Sequence, residues 1–134
     1  MEQIKKIMSN NIILTTGTYD LIKDHIRRKK VTLKEEEILT NELKTASQVL
    51  RRVLPADIVC VNSIVTYKNH TTGQEKTVTF VGPKKSKPSK NKISILSDEG
   101  IAMVGYKTGD IIEWPAKDGD LKLEILKVEH LQKQ

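Results

Sequence analysis

At Pro55 the hydrophobic pattern of this chain changes period, and the change divides what the sequence can fold into. Upstream, Leu39, Leu43, Ala46, Leu50 and Val53 alternate spacings of four and three, the seam of one helix packed along another. Downstream, apolar residues recur at every second position in β-rich runs over residues 58–67, 75–81, 92–96, 110–114 and 121–130, with turn residues between them. The pattern predicts an α+β chain, with a helical part over residues 1–55 and a β part over residues 56–134.

Local signals place the helices. Thr18 is the predicted N-cap of a first helix that carries Tyr19, Ile22 and Ile26 on one face. Arg27, Arg28, Lys29 and Lys30 close it, and cations in a last turn complement the helix dipole. Thr32 and Glu35 then form a capping box, since the threonine hydroxyl can accept from the third residue's N–H while the glutamate reaches back. The second helix is expected to run from Thr32 until Pro55 stops it, roughly 33 Å at the α-helical rise and about twice the length of the first. Together they predict a short, unequal antiparallel hairpin with a basic tip. The apolar run at residues 11–14 adds an edge strand or anchors the tail.

In the β part, the Asp118-Gly119 pair suits the positive φ angles of a tight hairpin. Between Gly82 and Asn91 the chain reads GPKKSKPSKN, which has no side chain for a core and is expected to be a solvated loop. The one cysteine, Cys60, falls in a predicted buried strand, excludes an internal disulfide and fits a reducing compartment. His25, His70 and His130 are scattered, with neither zinc-ligand spacing nor a nucleophile to serve. No catalytic residue, metal or cofactor is expected, and no enzymatic activity. No apolar stretch approaches bilayer length and the start lacks a signal-peptide core, so a cytoplasmic protein without membrane contact is expected. The net charge of +6 calls for an anionic partner, either a nucleic acid or an acidic protein patch.

The order of elements from Lys92 to Leu131 carries a resemblance. A strand is followed by the polar turn Ser97-Asp98-Glu99-Gly100, a short apolar helical run from Ile101, Thr108-Gly109-Asp110, a strand ending at Trp114-Pro115, a Lys117-Asp118-Gly119-Asp120 turn and a long last strand. Upstream, a strand from Thr66, a Thr71-Thr72-Gly73 turn and a strand ending at Val81-Gly82-Pro83 recur in order. This arrangement resembles the C-terminal domain of the Gre transcript-cleavage factors. The resemblance implies an FKBP-like antiparallel sheet with one short helix, docked on bacterial RNA polymerase at the rim of the secondary channel. A prolyl isomerase activity does not follow from such a fold, because fold does not imply function and the aromatics are few.

Long Gre factors push a helical hairpin down that channel and hold a second Mg²⁺ with acidic residues at its tip, the hard oxygen donors that Mg²⁺ prefers. Where the family carries a Gly-Asp-Leu-Ser-Glu-Asn-like tip, this chain has Arg27, Arg28, Lys29 and Lys30. The nearest acids, Glu35, Glu36 and Glu37, are either a displaced acidic tip or simply the first turn of the second helix, where acids are routine. With its short arm, the chain is similar to the family's abbreviated relatives, the regulator-of-nucleoside-diphosphate-kinase type, which implies polymerase binding without RNA cleavage.

In the turn over residues 97–100, Asp98 and Glu99 replace the Pro and Ile of the family's Ser-Pro-Ile-Gly pattern, while Gly100, Ala102, Gly105, Gly109 and Asp110 follow it. Docking is therefore expected at Ser97, Asp98, Glu99 and Gly100, and Asp98 also suits the N-cap of the short helix. Lys84, Lys85, Lys87 and Lys90 offer a nucleic-acid contact or a solvated face, with no interleaved aromatic for stacking. The expectation is a monomeric polymerase-binding transcription regulator that competes with long Gre factors. The alternatives are a cleavage factor using Glu35 to Glu37 and a basic nucleic-acid-binding module.

Overall fold

The structure, a computed structural model, describes residues 12–116 and 119–131. A three-residue strand, β1 (Ile13–Thr15), runs directly into helix α1 (Thr16–Arg27). Thr15, not Thr18, caps that helix: its hydroxyl accepts from the Thr18 amide, and Thr18 is buried one turn inside. Both threonines have the required oxygen, but the strand holds Thr15 in the extended conformation a cap needs. Ile22 is buried on the face picked out by its spacing, with Tyr19 and Ile26 packed beside it. Asn11, which opens the predicted apolar run, lies outside the described residues.

Helix α2 (Leu33–Thr45) opens on the expected capping box but ends well before Pro55, so the two helices have 12 and 13 residues and form no unequal pair. Ala46 turns extended, and β2 (Ser47–Val49) pairs in parallel with β1, Ile13 opposite Ser47 and Thr15 opposite Val49. The backbone thus exchanges helical hydrogen bonds for a strand partner more than thirty residues upstream. Leu50 and Val53, expected in a buried seam, are instead 55% and 59% exposed. Leu39 and Leu43 remain buried, but in one cluster with Val65, Phe80, Trp114 and Leu123 of the sheet. The helices lie on the sheet rather than projecting from it.

Five strands form that sheet: β3 (Ser63–Asn69), β4 (Gln74–Val81), β5 (Lys92–Ser94), β6 (Ile111–Ala116) and β7 (Gly119–His130). Their order is β5-β4-β3-β7-β6, antiparallel throughout except that β5 joins β4 in parallel. The strand expected from Ile58 starts only at Ser63, because Asn62 is left-handed (φ 66°) and breaks the run. Cys60 is buried as expected but in an irregular segment, where the Ser63 hydroxyl donates to its carbonyl at 2.6 Å and accepts from its amide. The β6–β7 register pairs Ala116 with Gly119. Lys117 and Asp118, the rest of the expected hairpin turn, lie outside the described residues.

Candidate functional site

Helix α3 (Asp98–Met103) is short, and a cap and a close backbone approach fix the turn that starts it. Ser97 is its N-cap, accepting from the Gly100 amide at 3.1 Å, so the capping role belongs to Ser97 and not to Asp98. Asp98 and Glu99 occupy the first turn, half-buried, where the helix dipole favours carboxylates. Gly100 is pressed against the backbone of β5's continuation: a Cβ there would stand 2.5 Å from the Ile95 carbonyl oxygen. Burial pushes the Tyr67 hydroxyl up from its ordinary range, and the Glu99 carboxylate adds to the effect. The four expected docking residues therefore form one rigid, acidic, partly accessible corner.

The helical tip is basic, and two carboxylates offset part of its charge. Asp24 pairs with both Arg27 and Arg28, the latter at 2.9 Å. Lys29 is left-handed (φ 59°) just past the helix end and carries its ammonium to 3.6 Å from Glu36. Lys30 is exposed.

The acidic trio does not converge. Glu35 is 1% exposed, and both its oxygens are occupied: Oε1 accepts from the Thr32 amide at 2.9 Å and Oε2 from the Trp114 indole N–H at 2.8 Å. Glu36 faces Lys29, and Glu37 is exposed beside a groove that also touches Trp114 and Pro115. A second tie joins helix to core, as the Tyr106 hydroxyl donates to Glu42 at 2.6 Å. Burial and that carboxylate hold the Tyr106 hydroxyl protonated far above its ordinary range. Sequence reasoning missed both ties. The available signal was that a buried indole N–H must find an acceptor.

The loop after β4 is solvated as expected, with residues 83–92 exposed, but it is folded. Pro83–Lys85 and Pro88–Lys90 are successive 3-10 turns, each opened by a proline whose fixed φ suits that position. Across the second turn Lys87 and Lys92 exchange amide-to-carbonyl hydrogen bonds of 2.7 and 3.2 Å, and the Thr79 amide donates to Asn91 O. Lys84, Lys85, Lys87 and Lys90 are all exposed on this scaffold.

The family described as "Transcription elongation factor, GreA/GreB, C-term" matches residues 54–130, more than half of the chain. The chain belongs to this family. Among its GreA/GreB relatives, "Transcription elongation factor GreA" of Clostridium botulinum (strain Langeland) is 44% identical over 90 residues, covering 67% of this chain and 56% of that protein. The chain thus spans about half the length of those relatives. The GreA of Clostridium kluyveri is 35% identical over 127 residues, 95% of this chain and 78% of its own. A solved structure, "Prokaryotic transcription elongation factor GreA/GreB from Nitrosomonas europaea", superposes with a TM-score of 0.65 at 29% identity, covering 91% of this chain and all of that one.

The Mg²⁺ that a GreA/GreB cleavage tip would hold does not fit the residues here. A hard dication needs several free oxygens, whereas the tip presents cations, Glu35 is buried with both oxygens hydrogen-bonded, and Glu36 faces an ammonium. Among the described residues, no group of three or more His, Cys, Asp or Glu side chains is placed to hold a metal ion.

Proposed function

We propose that this GreA/GreB-family chain binds bacterial RNA polymerase at the rim of the secondary channel and acts by occupying it, without stimulating transcript cleavage. Membership in a family of transcription elongation factors supports the partner. The fixed corner of Ser97, Asp98, Glu99 and Gly100 supports the docking site, since preorganised carboxylates lose little freedom when they meet a basic surface. The single observation that carries the absence of cleavage is the fate of Glu35, which ties α2 to Trp114 and leaves no acidic tip. Helices that lie on the sheet also give a short reach. Such a factor works in the cytoplasm as a monomer, in competition with long Gre factors. No helix among the described residues is long and apolar enough to cross a membrane.

Stalled polymerase complexes test the reading. Added protein is expected to leave the release of short 3′ RNA fragments unchanged, and to suppress, dose by dose, the release stimulated by a long Gre factor. Asp98→Ala with Glu99→Ala is expected to weaken that competition by about 2 kcal/mol or more, some thirty-fold. Fragment release stimulated by the protein itself would refute the occupancy reading. Undiminished competition by the double variant would remove the docking corner.

A further inference from the structure

A cluster of lysines surrounds a groove of about 410 Å³ beside the loop that follows β4, away from the helical tip. Lys84, Lys85, Lys87 and Lys92 line it, with the Ser86 and Thr79 hydroxyls between them. Asn62 also lines it, and the Asn62 carbonyl accepts from Arg51, whose guanidinium also reaches Val61 O. A second groove, lined by Arg51, Arg52 and His130, shares Leu131 with the first. The cations therefore follow one another along a continuous face.

The contrast with the tip is informative. There Asp24 and Glu36 pair with three of the cations, Arg27, Arg28 and Lys29, and offset two of their charges. Around the groove, no ion pair ties Lys84, Lys85, Lys87, Lys92, Arg51 or Arg52 to a carboxylate among the described residues. Like charges held close repel one another, and this set is held by two proline-opened turns and a pair of backbone hydrogen bonds rather than left to spread in solvent. An anion that meets them finds the charges already gathered.

We propose that this face is a track for the phosphodiester backbone of single-stranded nucleic acid. Ammonium groups and hydroxyl donors suit phosphate oxygens. The absence of an aromatic in the lining leaves no stacking platform, so recognition is of the backbone and indifferent to sequence. A narrow concave groove admits one strand, whereas a duplex needs a broader surface. An acidic helix, the protein alternative, would want a row of apolar anchors, and the lysine groove offers only Val81 and Leu131. The inference is independent of polymerase binding, and its test contains no polymerase.

The experiment is fluorescence anisotropy of the full chain with a labelled 12-nucleotide RNA, the same sequence as single-stranded DNA, a duplex, and a poly-glutamate peptide of matched charge. Engagement of about four phosphates predicts an affinity that falls about fifty-fold between 50 and 200 mM salt. A variant with Lys84→Gln, Lys85→Gln, Lys87→Gln and Lys92→Gln is expected to bind at least ten-fold more weakly with a shallower salt slope. A control with Lys34→Gln, Lys44→Gln, Lys76→Gln and Lys127→Gln removes the same charge elsewhere and is expected to lose less than three-fold. All eight lysines are exposed, so both variants are expected to fold, which circular dichroism checks. Equal affinity for RNA and single-stranded DNA supports recognition of phosphate alone, and preference for RNA supports a further contact from Ser86 or Thr79 to the 2′-hydroxyl. The proposal is overturned if both variants lose equally, if the duplex or the peptide binds as tightly as the RNA, or if no salt-sensitive binding is measured at 50 mM.

Discussion

Replacing Glu35 by alanine asks how firmly the helices are fastened to the sheet. The carboxylate is buried, and its two oxygens serve different masters: one completes the capping box at Thr32 and the other accepts from the Trp114 indole. Losing half of the box costs about 1 kcal/mol. Taking its carboxylate acceptor from the Trp114 N–H costs about 1–3 kcal/mol, and the vacated volume adds about 1 kcal/mol. The expected loss is therefore about 3–5 kcal/mol, read from urea denaturation followed by circular dichroism. Trp114→Phe removes the donor instead and strands the carboxylate oxygen. Combining the two substitutions is expected to reveal a coupling of about 2 kcal/mol, because the second change no longer breaks an intact hydrogen bond. If Glu35 were only a solvated cap, the single variant would lose about 1 kcal/mol and the pair would be additive. A coupling below about 0.5 kcal/mol would refute the tie.

Two further outcomes follow from packing and protonation. Gly100→Ala is expected to destabilise the fold by several kcal/mol, because its Cβ would meet the Ile95 carbonyl at 2.5 Å and backbone cannot step aside; a melting temperature within about 2 °C of the parent would contradict that. Tyr67 and Tyr106 are both held protonated above the ordinary phenol value of 10.0, so the folded state binds more protons than the unfolded one at alkaline pH. The stability they contribute is complete below about pH 10 and falls as pH rises beyond it, and tyrosinate absorbance at 295 nm should show these two ionising only as the structure is lost.

The sheet was legible because its signals are local. Alternation marked β4 and β7 to within about two residues, and Gly73, left-handed at φ 80°, closes the turn expected there. The capping box at Thr32 was legible for the same reason: both partners lie within one helical turn. The end of α2 was not. The spacing of Leu50 and Val53 continues the seam in sequence, but the pairing of Ser47 with Ile13 decides the outcome, and no pattern within one segment announces a partner so far away. At the candidate sites the residue types were legible and their surroundings were not. Glu35 was legible as the capping partner of Thr32, but nothing near it announced Trp114, far along the chain, which takes its second oxygen. The lysine run looked solvated because nothing in it is apolar, and backbone hydrogen bonds rather than side-chain burial give it shape.

The placement of β3 has a consequence for how the molecule comes into being. β3 is the middle strand, and one of its two neighbours is β7, with Ser63 opposite His130. On the ribosome, β3 and β4 can form their hairpin early, but the other edge of β3 stays bare until β7 has emerged. A strand with unpaired amides and carbonyls is a template for any other extended chain nearby. Every nascent molecule therefore passes through an interval in which its most central strand is its most vulnerable one. The twelve residues of β7 are those that close it, and contacts so distant along the chain make that closure slow relative to a helical protein of equal size.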